Sequence, residues 1–344
     1  MDEREQREIE AHLKEKIAAY HEAALLFTAV TSGLPDLLKA EPRTPEALAW
    51  ESGLQAGPLR RFLRGLATMR LCEEREDGRF ALTPAGEALT HGHPSNLGEK
   101  AFVAVGQYWM PWMSLSYTLR TGKPSFPFAL NKNVADWRGR NADEGRFFFR
   151  YLAKEELANP GAVTDAIGDL GEGAAIASLG GGYGAWLADV LNRHPTAQGI
   201  VFDAPPVLDD AKRLFEALDL TDRISLVAGD VLEDVPERAD VYVLKGVLQQ
   251  HDDSAARTVL ENCRAAMGPK ARLLILERLM PETALDDHAA IMLDLHMMAI
   301  TGGKARTKAE METLIADAGL TLAAVVPTED GTSLIEAQRP DSNP

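Results

Sequence analysis

Polar and apolar positions change their rhythm about halfway along this chain. Up to about residue 155, apolar residues recur mostly at helical spacing. "REQREIEAHLKEKIAAYHEAALLFTAVTSG" predicts one long helix that stops at Gly33. In the stretch that follows, Thr44 caps a short helix with Pro45 at its first position. Gly53 marks a turn, and Pro58 opens a second helix running to Met69. "LCEEREDGRFALT" then alternates about Asp77-Gly78, which predicts a hairpin. Helix, turn, helix and small hairpin make the pattern of a winged helix. Between 101 and 151 aromatic and Met residues concentrate, and Tyr108, Trp109, Trp112 and Tyr117 are expected on one helix. Such a stripe serves either as core alone or as core shared with the wall of a flat apolar pocket.

From residue 174 the runs are short and bounded by Gly, Asp or Pro. They read "AAIASLGGGYG", "QGIVFDAP", "RISLVAGD", "ADVYVLKGVL", "ARLLILERLM", "TLAAVVPT" and "GTSLIEAQ". Helical patterns separate most of them, so an α/β domain with a parallel-type sheet covered on both faces is expected. The division is then a helical, winged-helix domain at 1–155 and an α/β domain at 156–344. A chain of 344 residues accommodates two such domains, and 45% apolar residues suffice for their cores.

Charge narrows the partners. The second winged-helix segment carries Arg60, Arg61 and Arg64, but Glu73, Glu74, Glu76 and Asp77 stand in the hairpin and the whole chain carries a formal −16. Nucleic acid recognition draws on clustered Lys and Arg. This balance favours a packing and dimerisation module, and it disfavours an anionic membrane face. No apolar run approaches bilayer length, and the charged amphipathic start lacks the apolar centre of a signal peptide. Cys72 and Cys263 form no CxxC pair, and a reducing cytoplasm is the expected compartment.

Candidate chemistry collects at successive strand ends. "SLGGGYG" leads from the first strand of the second domain into "AWLADVLNRH". Glycines there permit a tight turn and close approach of a ligand to the main chain. Asp203 ends the next strand at the distance expected of a ribose-binding acid, and Gly229-Asp230 ends the third, within reach of an adenine edge. NAD is one candidate. However, GxGxxG is not met, since the sixth position is Ala185 counted from Gly180 and Leu187 counted from Gly182. A mononucleoside without pyrophosphate suits the looser loop better.

With "SLGGGYG", "FDAPPV", "AGDVLEDVP", "ADVYVLKGVL", "LLILERLMP", "DLHMMAITGGKART" and "DAGL" in this order, the chain resembles a known family from about Leu13 to Ala337. The family is that of the S-adenosylmethionine-dependent class I O-methyltransferases of the caffeate, acetylserotonin and hydroxyneurosporene type, including bacterial antibiotic-tailoring enzymes of secondary metabolism. The resemblance implies a Rossmann-like class I methyltransferase domain preceded by a winged-helix dimerisation domain, and hence a homodimer acting on a small molecule. It also implies that Gly180, Gly182 and Asp203 hold the methionine-ribose part of S-adenosyl-L-methionine, that Asp230 approaches the adenine, and that Lys245 lines the site.

Departures from the family pattern carry equal weight. Ser178 stands where the family has an acid, Gln249 where it has the histidine base, and Ala305 where it has the glutamate that orients this base. Glu277 still matches a second acid of the site. An amide is no general base near neutral pH, though it hydrogen-bonds well. His251 and His296 are the substitutes in view, with a solvated or capping role as the alternative for the first and a core role for the second. Three mechanisms are open: deprotonation by His251 or His296; proximity and desolvation acting on an acceptor already ionised; or a divalent metal on His251, Asp252, Glu277 and His296 acidifying a bidentate substrate. The last would favour carbon methylation of a 2-oxo acid over O-methylation of an aromatic or enolisable metabolite. A non-methylating reaction on the same fold and a non-catalytic winged-helix regulator complete the alternatives.

Overall fold

A computed structural model describes residues 2–158, 164–165 and 167–340. The chain forms two compact units, 1–109 and 110–344, so the break falls before the change of texture near 155.

In the first unit a helix runs over Glu3–Thr31, started by Asp2, whose carboxylate accepts from the amides of Arg4 and Glu5. Only Ala29 of this helix is buried, while Ile9, Leu13, Ile17 and Tyr20 are exposed. Thr44 caps the helix Pro45–Ser52, and Gly53 ends it at φ +71°, a left-handed conformation that costs glycine little. The next helix, Ala56–Thr68, begins two residues before Pro58, because proline is tolerated in a first turn where no N–H bond is due. Strands β1 (Cys72–Glu74) and β2 (Phe80–Leu82) pair antiparallel as the wing. Leu34, Leu48, Leu63, Leu66 and Phe80 form the core beneath them.

The aromatic stretch is not one helix. Helix Leu97–Gly106 ends before Tyr108, a short helix Trp109–Met113 carries Trp109 and Trp112, and Ser114 separates it from Leu115–Thr121 with Tyr117. Ser114 and Gly122 interrupt the apolar rhythm here, and tertiary packing sets the breaks. Helices Ser125–Leu130, Val134–Arg140 and Ala142–Ala158 lead to the sheet.

Strands β3 (Ala175–Leu179), β4 (Gln198–Asp203), β5 (Ile224–Ala228), β6 (Val241–Lys245), β7 (Arg272–Glu277), β8 (Thr321–Pro327) and β9 (Ser333–Gln338) form one sheet in the order β5-β4-β3-β6-β7-β9-β8. The first five are parallel. β9 runs antiparallel to β7 and β8, because β8 returns through the tight turn Thr328–Thr332 rather than through a crossover helix. Apolar side chains of β3, β6 and β7 are buried on both faces, as the continuous apolar runs require. Strand order reverses between β3 and β6, and the crevice at their carboxyl ends is where such sheets hold ligands. Among the described residues no single helix is long and apolar enough to cross a membrane.

Candidate active site

The loop after β3 is built to approach a ligand. Gly180 and Gly182 both have positive φ, +61° and +68°, before helix Ala185–Arg193 begins. Gly180 donates its amide to Phe202 O at 2.8 Å, tying the loop to β4. Gly182 N–H donates to Asp203 Oδ2 at 2.9 Å, and Ala204 N–H donates to Oδ1 at 2.7 Å. A carboxylate offers about four lone-pair sites, so two remain for a ligand. Burial, with Asp230 adding repulsion, pushes the Asp203 carboxyl up to about 6 against the pull of these two amides. Among the described residues no ion pair is formed by Asp203. Beneath the loop, an added Cβ at Gly181 would stand 2.4 Å from Ser178 Oγ, so Ser178 packs directly under this turn.

Asp230, past the end of β5, is exposed and accepts from Leu232 N–H at 2.9 Å. Lys245 at the end of β6 is half-buried and paired to Glu156 at 2.6 Å. Glu156, on helix Ala142–Ala158, also accepts from the amide of Trp186 at 3.4 Å. Sequence reasoning missed Glu156, since its partners lie 30 and 89 residues away and no local pattern marks it.

Gln249 lies in the one-turn 3-10 helix Leu248–Gln250 after β6. Its carboxamide nitrogen lies 3.4 Å from where a Cβ at Gly246 would stand. Glu277, only 2% exposed, accepts from the Gln249 amide at 2.8 Å. Burial pushes its carboxyl up to about 7, opposed by the Gln249 amide, the Arg306 charge and the Leu248 amide. Arg306, buried, donates to Leu248 O, His251 O and Lys304 O and pairs with Asp253 at 2.9 Å. Lys304 N–H reaches Gln249 O at 3.0 Å. The 248–250 turn is thus clamped from three directions. Ala305 is buried and its amide donates to Asp294.

The two histidines take different places. His251 follows the turn with extended backbone, and its imidazole feels the charges of Asp230 and Asp252. Burial pulls it below the ordinary histidine range in spite of them. His296, half-buried on helix His288–Ile300, accepts from Trp112 Nε1 at 3.1 Å. That helix packs against the 248–250 turn and against helices Leu115–Thr121 and Ser125–Leu130. Burial, helped by Arg138, lowers the His296 imidazole to about 4.

Arg138 lies over the ring of Phe148, 3.3 Å from its centroid. Phe148 meets Phe149 edge-on, and Phe149 meets Tyr183 at 5.5 Å and stands 3.5 Å from where a Cβ at Gly182 would be. An aromatic run therefore joins the surroundings of Arg138 to the glycine loop. Tyr117 stacks on Phe128 at 4.3 Å, and Phe126 meets Trp137 edge-on at 5.9 Å.

The four residues considered as metal ligands take other contacts. Among the described residues no three His, Cys, Asp or Glu side chains come together in a way that holds an ion. Asp252 instead caps helix Asp253–Ala266 by accepting from Ala255 N–H, Glu277 serves the turn, and His296 Nδ1 is engaged by Trp112.

Comparison with known proteins agrees with this geometry. Residues 112–321 match the O-methyltransferase domain family, and residues 15–92 match the O-methyltransferase dimerisation domain family. Phenazine O-methyltransferase PhzM of Lysobacter antibioticus is 33% identical over 95% of both chains. The structure of the mitomycin 7-O-methyltransferase MmcR superposes with TM-score 0.92 at 29% identity, covering 98% of this chain and 100% of the other. NcsB1, an O-methyltransferase from neocarzinostatin biosynthesis solved with S-adenosylmethionine and 2-hydroxy-5-methyl naphthoic acid, superposes with TM-score 0.83 at 27% identity, covering 93% and 96%. The chain belongs to the O-methyltransferase family, and it is a methyltransferase with an N-terminal dimerisation domain.

Proposed function

We propose that this enzyme methylates a hydroxyl oxygen of a small, flat aromatic or enolisable metabolite of secondary metabolism, using S-adenosyl-L-methionine and no histidine at the family's base position. One observation carries the cofactor assignment: the half-satisfied Asp203 carboxylate, hung from the amides of Gly182 and Ala204 at the end of β4. These residues fit the donor. A ribose diol needs two acceptors, and Asp203 retains two; the positive-φ glycines leave the main chain bare for the methionine part. When bound, S-adenosylmethionine supplies a sulfonium methyl, which the acceptor oxygen takes as the carbon–sulfur bond breaks.

The chain's own residues do the rest. Gly180, Gly182 and Asp203 hold the donor, Asp230 stands on its adenine side, and Lys245 lines the cleft under the grip of Glu156. Gln249 hydrogen-bonds the acceptor. Glu277 and Arg306 keep the 248–250 turn in place. His251 belongs to the Asp230 side, and His296 to the acceptor side. Orientation and exclusion of water supply the rate, and the acceptor's proton leaves to solvent.

Arg60 and Arg64 are paired with Glu74 of the wing, which supports a packing role over nucleic acid binding. The exposed apolar face of helix Glu3–Thr31 supports a homodimer, with a small-molecule substrate and neither nucleic acid nor membrane as partner. Two buried free thiols, Cys72 and Cys263, accord with the cytoplasm.

Asp203→Ala is expected to weaken S-adenosylmethionine binding at least about 100-fold by calorimetry, equivalent to about 3 kcal/mol. Wild-type affinity in that variant would remove the assignment. Gln249→Ala is expected to keep measurable turnover; complete loss of rate with intact acceptor binding would contradict its role as a hydrogen-bonding group.

A further inference from the structure

Residues 180–184 read Gly-Gly-Gly-Tyr-Gly, and Gly180, Gly182 and Gly184 all have positive φ. Glycine brings the main chain close to a ligand, but it also leaves that chain free to drift from the required conformation. Tyr183 is the one side chain beyond hydrogen in the segment. It is 6% exposed, and its hydroxyl donates to Asp210 Oδ2 at 2.8 Å. Arg146 O lies farther off, at 3.4 Å, and the single phenol hydrogen serves the nearer carboxylate. Burial, and then Asp210 itself, push the phenol well above the ordinary tyrosine range, so the hydrogen stays in place at neutral pH.

Asp210 stands on helix Pro205–Ala217, which begins two residues after Asp203. It is buried, and its second oxygen accepts from Arg213 at 2.8 Å. The same helix backs Gly184, where an added Cβ would stand 3.4 Å from the Phe215 ring and 2.8 Å from Val201 of β4. Three hydrogen bonds thus join the loop to one stretch of chain: Gly180 N–H to Phe202 O, Gly182 N–H to Asp203 Oδ2, and Tyr183 O–H to Asp210 Oδ2. The first two hold the loop to the end of β4, and the third fastens it to the helix beyond.

We infer that the Tyr183–Asp210 hydrogen bond positions the donor site: it fixes the glycine loop against helix Pro205–Ala217, keeps Gly182 N–H on Asp203, and so leaves the remaining lone pairs of Asp203 set for a ribose diol before S-adenosylmethionine arrives. The inference rests on the donor-binding reading above. Tyr183 acts through Gly182 and Asp203, which makes it a positioning residue. A donor that binds only the ordered loop has an apparent Kd equal to the intrinsic value divided by the ordered fraction. Buried hydrogen bonds to charged acceptors are the stronger kind. With the bond removed and the loop ordered about one-tenth of the time, affinity falls about tenfold, roughly 1.4 kcal/mol.

Calorimetry of S-adenosylhomocysteine and amide hydrogen exchange across residues 180–184 test this together. Tyr183→Phe keeps the ring beside Phe149 and removes only the hydroxyl. Expected is about tenfold weaker binding, with exchange at Gly182 faster in the free enzyme and back at the wild-type rate once the ligand saturates. A general loss of stability would instead leave exchange fast in the complex and spread it beyond the loop. Asp210→Ala is expected to match Tyr183→Phe, since Arg213 is 67% exposed and stays hydrated without its partner. The double variant should bind no more weakly than either single one, because both remove the same bond. Asp210→Asn keeps an acceptor oxygen and is expected to bind within about threefold of wild type. Wild-type affinity in Tyr183→Phe, or losses that multiply in the double variant, would overturn the inference. A wild-type enzyme that does not bind S-adenosylhomocysteine would remove the donor reading instead, and exchange at Gly182 in the free protein would then decide whether Tyr183 anchors the loop.

Discussion

Glu277→Gln probes the clamp on the 248–250 turn most directly. The carboxyl is buried and accepts the amides of Gln249 and Leu248, and burial lifts it from the ordinary 4.5 to about 7. A raised folded-state pKa means that the native protein holds this proton more tightly than the unfolded chain does. The stabilisation is complete below about pH 4.5, and it is lost as pH rises to about 7. Each pH unit of that interval corresponds to about 1.36 kcal/mol. Integrated between pH 5 and 8, the loss comes to about 2.5 kcal/mol. Glutamine keeps one acceptor oxygen for these amides and does not titrate. Urea unfolding of both proteins, followed by circular dichroism at pH 5, 6, 7 and 8, isolates the contribution, because the other carboxyl groups cancel in the difference. The wild type's advantage over Glu277→Gln is expected to shrink by about 2.5 kcal/mol across that range. A constant difference would refute the buried, proton-holding clamp.

Two further substitutions test the same turn from its other sides. Gly303→Ala places a Cβ 2.2 Å from Gln249 O and 2.4 Å from Gln250 C, main-chain atoms that cannot step aside. It is expected to cost about 1–3 kcal/mol and to lower turnover more than donor affinity, as read by thermal melts and calorimetry. Arg306→Met strips the donors from Leu248 O and His251 O, while its ion partner Asp253 remains 62% exposed and hydrated. The cost therefore comes from stranded carbonyls, about 2–4 kcal/mol in urea unfolding. Recovery by Arg306→Lys should be small, since one ammonium cannot span the positions of a planar fork.

Local pattern made much of the fold legible. All seven strands of the large sheet coincide with the short apolar runs, and for β3, β6 and β7 the reason is that a strand buried on both faces must be apolar throughout. Thr44, Pro45 and Gly53 mark a helix whose ends follow from capping and positive φ, both local effects. The glycine loop and Asp203 were legible for the same reason: a turn, a strand end and a fixed spacing. Where several chain segments compete, the sequence fell short. The aromatic stretch reads as one helix, yet packing splits it, and β9 inserts between β7 and β8 through a hairpin that apolar content alone does not distinguish from a crossover.

By itself, then, the sequence determined the order of elements, the two kinds of unit, and the glycine loop with Asp203 at the end of the next strand. Tertiary structure decided how the remaining polar groups act. His296 Nδ1 accepts from Trp112, 184 residues away, and Lys245 is paired with Glu156, 89 residues away. Such assignments have no local signature. Hydrogen bonding and burial at these positions are fixed only when distant segments close around them and exclude the water that would otherwise satisfy each group alone.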